Sequence, residues 1–168
     1  MIFTFGESIT FAKIMSVTCV LNNLEDALQK KLAQYRMAKR KDNGSMKMIK
    51  LDPTKIYYLS HPCTSVGTMA ENKWHEQECI DSILLSQEGY VCREHPGDNK
   101  IKLVRPLTLI PECLPEDEAM ARCMSLLAAC DAIIMCGDWE KSKGCQMELG
   151  QAEIWGLEVL YYEQVVKK

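Results

Sequence analysis

Asp131-Ala-Ile-Ile-Met-Cys136, then Gly137-Asp-Trp-Glu-Lys-Ser-Lys143, Gly144-Cys-Gln-Met-Glu148-Leu-Gly-Gln-Ala-Glu-Ile-Trp155 and, past Gly156, Leu157-Glu-Val-Leu-Tyr-Tyr162 run on without interruption. The first stretch is a short continuous apolar run, the pattern of a strand buried on both faces. A polar loop follows it. Cys145 to Trp155 reads as a helix stopped by Gly156, and the last stretch is a second apolar strand. Two such strands joined through a helix pair in parallel, because the crossover carries the chain back to the same edge of the sheet.

Working outward, the same alternation recurs. Lys55 to Ser60 is a β-rich run closed by His61-Pro62, and Met69 to Gln87 reads as a helix ending at Gly89. Ile101 to Val104 is a further strand, closed by Pro106. Glu116 to Ala129 is a helix opened by Pro115 and an acidic first turn. The order β-α-β-α-β-α-β predicts an open, doubly wound parallel sheet of Rossmann or flavodoxin type. Ligands of such sheets bind beyond the carboxyl ends of the strands, here Ser60 to Thr68, Arg105 to Leu109 and Gly137 to Glu148. Residues 46–168 form the expected α/β domain. Residues 1–45 read as an N-terminal extension, with apolar alternation in the first twenty and a helix from Leu24 to Arg40.

The 168 residues are 47% hydrophobic and 26% charged, which rules out wholesale disorder. A net charge of -3 argues against a nucleic-acid partner, and no apolar run is long enough for a membrane helix. Nine cysteines form no C-x-x-C pair, so packing as small reduced hydrophobes is expected rather than a metal site. With no basic n-region ahead of an apolar core in Met1 to Cys19, a cytoplasmic protein is the expectation. The dinucleotide and P-loop glycine patterns are both absent.

The chemistry is expected in the loop from Gly137 to Glu148. It leaves a strand at the ligand edge and enters a helix N-terminus, where free N–H groups favour an anion. Ser142 supplies a hydroxyl there, and Gly144 lets a ligand approach the backbone. Glu148, near the first turn, is expected to stay ionised in the helix dipole. The residues alone leave it two readings: a nucleophile at a pocket mouth, or a helix-favouring side chain on a surface turn.

Ile56-Tyr57-Tyr58-Leu59-Ser60-His61-Pro62, Asn72, Cys130-Asp131-Ala132, Trp139-x-x-Ser142-x-Gly144 and Glu148-Leu-Gly-x-Ala152 together resemble the nucleoside 2-deoxyribosyltransferase superfamily. The similarity is greatest to its branch described as domain of unknown function 4406. That resemblance implies cleavage of an N-glycosidic bond, with Glu148 attacking the anomeric carbon and Tyr57 near it. It also implies that Ser142 holds a 5′-phosphate, that no cofactor is needed, and that the protein is a homo-oligomer acting on a nucleoside or nucleotide. One position departs from the pattern. Relatives of known activity carry an aspartate eight residues before the position of Asp131, and this chain has Cys123. A thiol is a poorer general acid for the leaving base, and Asp138 or Glu140 are the candidate substitutes.

Among the remaining candidates, Ser60, Thr64 and Ser65 are placed to line a sugar or phosphate site, and short turn residues would look the same. His61 is a candidate donor to phosphate or base, or an exposed loop side chain. Trp139 is a candidate stacking surface for a base, or a wedge under the loop. The expected function is therefore N-glycosidic cleavage of a nucleoside 5′-monophosphate, by hydrolysis or transfer. The alternative is a nucleotide-binding module that has lost efficient catalysis.

Overall fold

A computed structural model describes residues 48–64 and 67–167; the expectations for residues 1–45, and that for Ser65, lie outside them. Four strands, β1 (Ile56–Ser60), β2 (Lys102–Val104), β3 (Ala132–Met135) and β4 (Glu158–Tyr161), pair in parallel in the order β2-β1-β3-β4. The connecting helices are α1 (Met69–Glu88), α2 (Pro106–Leu109), α3 (Glu116–Ala128), α4 (Lys143–Ile154) and α5 (Tyr162–Val165). The α/β reading of the sequence holds. Two details differ. Pro106 ends β2 but also opens the one-turn helix α2, since proline is pre-set for a first helical position. Tyr162 leaves β4 and begins α5.

Strand β3 is buried throughout, as its unbroken apolar run requires of a central strand covered on both faces. Tyr57 and Leu59 from β1, Ala132 and Ile134 from β3, and Leu160 from β4 share one core with Ile80, Ile83 and Leu84 of α1 and Val165 of α5. The period of two along β1 turns Tyr58 and Ser60 to the opposite face, where α4 packs. The Tyr57 hydroxyl, buried on the α1 side, accepts from the Asp52 amide at 2.7 Å and ties the preceding turn to the strand. At the amino edge Asp131 accepts from the Ile56 amide at 2.8 Å, a structural role consistent with its distance from the ligand edge.

Helix α1 begins in a capping box, Thr68 and Glu71 each satisfying the other's backbone amide, and ends at Gly89 with φ 83°. Its inward stripe changes character along its length. Ile80, Ile83 and Leu84 cover the strands, while Glu76 and Asn72, one and two turns earlier, are buried and polar. Those earlier turns sit beside the carboxyl ends of the strands, because α1 starts where β1 stops. Strand order reverses between β1 and β3, and Ser60 pairs with Met135 at that switch point.

Gly137, immediately after β3, has φ 61°, and a Cβ there would stand 2.9 Å from His61 Nε2. Gly89 has a similar φ and open space around it. Gly89→Ala should therefore cost only backbone strain, about 1 kcal/mol. Gly137→Ala adds a collision with a buried ring and should cost clearly more, read as the difference in unfolding free energy in urea.

Candidate functional site

Among the described residues, the buried polar side chains are Ser60, His61, Asn72, Glu76, Ser142 and Glu148. Each follows or faces the carboxyl edge of the sheet. Buried polar groups must find partners or lose stability, so their concentration at one edge sets that edge apart from the apolar core.

Glu148 lies in the second turn of α4 and is 5% exposed. Its two oxygens are held separately. Tyr58 donates to Oε1 at 2.5 Å and Ser60 donates to Oε2 at 2.6 Å. The Cys123 thiol of α3 also donates to this carboxylate. Burial pushes the Glu148 carboxyl above its usual range, and the Ser60, Tyr58 and Cys123 donors pull in the other direction. Desolvation thus works against the helix-dipole effect expected from the sequence, since Glu148 lies past the first turn of α4. Burial, followed by the Glu148 charge, drives the Cys123 thiol up to about 12, so it is a neutral S–H donor.

Glu148 and Cys123 form part of the wall of a cavity of about 540 Å³ between α2, α3 and the start of α4, while Tyr58 and Ser60 stand behind the carboxylate and do not line it. Pro106, Ile110 and Met120 supply apolar surface, and Ser142, Lys143 and Gly144 bring the α4 N-terminus to it. The Ser142 hydroxyl caps α4 by accepting from the Cys145 amide at 3.4 Å. A Cβ at Gly144 would come within 3.1 Å of the Met120 methyl, so a larger residue would crowd the cavity. Glu112 and Glu116 place two more carboxylates on its exposed wall, and Glu112 pairs with Lys73 at 2.6 Å. An apolar chamber with a few convergent polar groups is the ordinary form of a small-molecule site.

Several sequence-predicted residues lie elsewhere. Tyr57 points to Asp52 on the α1 face; its neighbour Tyr58 meets Glu148. Asp138 is exposed, pairs with Lys141 at 2.6 Å and lines a second cavity on the α1 side, so it does not share Glu148's chamber. Trp139 is buried with its ring 5.7 Å from that of Tyr161, a wedge under the loop rather than a stacking surface. The Asn72 amide donates to the Cys63 carbonyl at 2.6 Å and fixes the turn after β1. His61 lines both cavities, with Nδ1 3.0 Å from the Pro62 carbonyl. Thr64 lines the Glu148 cavity from an exposed position. Tyr58 was missed, yet the period of two contains the signal: a strand that turns Ser60 toward α4 turns Tyr58 the same way.

Replacing Tyr58 by Phe removes a donor to Glu148 and should move the carboxyl titration of that residue upward, followed by carbon-13 NMR of labelled glutamate. Tyr57→Phe should leave that titration in place and cost about 1 kcal/mol of stability through its lost bonds to Asp52.

Compared with known proteins, residues 55–161 match the model of the family described as Domain of unknown function (DUF4406). No curated protein and no solved structure matches the chain. No helix among the described residues is long and apolar enough to cross a membrane. The matched span takes in all four strands, the hydroxyl pair on β1 and Glu148 on α4: the chain belongs to the DUF4406 family.

Proposed function

We propose that the protein cleaves the N-glycosidic bond of a nucleoside 5′-monophosphate, with Glu148 as the nucleophile. The observation that carries this reading is the buried carboxylate whose oxygens are fixed by Tyr58 and Ser60 at the wall of a cavity large enough for a nucleotide. Three donors on about four lone-pair sites leave the carboxylate a lone pair to spare. The ionised group is thus oriented while still able to attack the anomeric carbon. Attack expels the base and leaves a glycosyl ester on Glu148, which water or a second base then opens. The α4 N-terminus, with Ser142, Gly144 and the nearby Lys143, suits the 5′-phosphate. The resemblance to nucleoside 2-deoxyribosyltransferases supports the same assignment.

A second reading rests on Cys123. A protonated thiol stands beside Glu148 where those relatives carry a carboxylate, and it offers little help to a departing base. In that case the cavity binds a nucleotide and turns it over slowly or not at all.

Chromatography of free base released from a panel of ribo- and deoxyribonucleoside monophosphates separates the two. The glycosidase reading expects release by the wild type and none by Glu148→Ala. Cys123→Asp should accelerate release, on the order of 100-fold if a carboxylate assists the leaving base. No release by either protein, with thermal stabilisation by a nucleotide, would support the binding module instead. The pH dependence has a definite sign. Burial holds the Glu148 pKa above that of an ordinary glutamate, so the nucleophile stays protonated further up the scale. Activity should therefore fall on acidification at a pH above the usual carboxylate range; a limb at or below that range would contradict the assignment.

A further inference from the structure

The second cavity, of about 520 Å³, opens on the α1 face of the same sheet edge and is lined by His61, Cys79, Gly137, Asp138 and Tyr162, among others. None of the Glu148 chemistry uses it. Cys79, on the inward side of α1, packs against the core cluster that contains Cys136, the residue following β3. The Cys136 thiol, which donates to the Ile134 carbonyl at 3.8 Å, and the His61 ring at the end of β1 both lie close enough to the Cys79 sulfur to act on its charge. His61 Nδ1 is occupied by the Pro62 carbonyl, which leaves Nε2 for Cys79. Gly137 makes room for this ring, since a Cβ there would meet Nε2. Three chain segments thus converge on one partly exposed sulfur. Cys136 behind it is fully enclosed, at 0% exposure.

We propose that Cys79 is a nucleophilic thiol that reacts with small hydroperoxides and is then captured by Cys136 as an intramolecular disulfide. In the first step the Cys79 thiolate attacks one peroxide oxygen. The O–O bond breaks, sulfur is oxidised to the sulfenic acid, and the departing hydroxide takes a proton from the His61 imidazolium to leave as water. In the second step the Cys136 sulfur attacks the sulfenic sulfur. The S–S bond forms as the S–O bond breaks, and the Cys136 proton leaves with the hydroxide as a second water. Two thiols and one peroxide become one disulfide and two waters.

The surroundings favour the thiolate. The Cys136 thiol pulls the Cys79 thiol down, burial opposes it, and His61 adds a further pull, bringing it to about 6. Burial works against charge on His61, yet its bonds to Cys79 and Pro62 and the nearby Glu76 charge hold the ring above its ordinary value. The other groups facing this pair are Glu78 on α1, Tyr162 and Glu163 around α5, and Asp138 after β3. With Glu71, Glu78 and Asp138 all lining the cavity, its rim repels anions. That selects a small neutral oxidant such as hydrogen peroxide over an anionic disulfide such as oxidised glutathione.

The test uses the full chain, reduced and then exposed to one equivalent of hydrogen peroxide. Free thiols are blocked with iodoacetamide, and the bonded pair is assigned by fragmentation mass spectrometry. The expected product is a Cys79–Cys136 link formed before any oxidation of the exposed Cys113. In Cys136→Ser, a sulfenic acid should accumulate on Cys79 and be trapped by dimedone. In unmodified protein without peroxide, Cys79 should be alkylated several-fold faster than Cys113 at pH 6.5. First oxidation at Cys113 or Cys92, or a Cys79 that alkylates no faster than Cys113, would overturn the site. A lasting Cys79 sulfenic acid beside a free Cys136 in the wild type would overturn the pairing.

Discussion

A carboxylate buried in a protein must be met by donors or be forced to give up its charge. Much of the carboxyl edge of this sheet answers that constraint at Glu148. Helix α4 brings the carboxylate in, β1 supplies the hydroxyls of Tyr58 and Ser60, and α3 closes the remaining side with the Cys123 thiol. These contacts cross the switch point, where the sheet separates two helical layers and an opening follows from topology alone. The surrounding hydroxyls fix the orientation of this carboxylate, and the proposed role of Glu148 rests on that arrangement.

The main β-α alternation was legible because the strands are short apolar runs and two of the long helices end at a glycine, Gly89 and Gly156; the one-turn helices α2 and α5 carry no such signal. The site was legible by position and less so by partner. Ser142, Gly144 and Glu148 do reach one cavity, as their spacing after β3 suggested. Tyr57 was placed on the wrong face, although strand pleating alone separates it from Ser60 and joins Tyr58 to it. The protonation of Glu148 depends on how deeply α4 sinks against β1, a tertiary quantity that no local pattern carries. Trp139 looked the same in sequence as a stacking platform and as a wedge. Only the Tyr161 ring, twenty-two residues on and brought alongside by β4, decides between them.

The cysteines show a different limit. Read singly they are small apolar residues, and Cys130 and Cys136 are buried as that reading expects. What spacing could not show is that β1, β3 and α1 bring His61, Cys136 and Cys79 together from distant points in the chain. His61 borders both cavities, so the two sheet faces meet at one imidazole. A change in the Cys79 layer therefore lies one side chain away from the Glu148 chamber.

The central claim is that Glu148 carries the sugar during turnover. Rapid acid quenching of the protein with deoxyribonucleoside monophosphates, followed by peptide mass spectrometry, tests it at the reacting atom. The account predicts a deoxyribose-phosphate ester on the peptide containing Glu148. Base release with the ester on another side chain, or with no covalent intermediate at any quench time and undiminished turnover in Glu148→Gln, would contradict it.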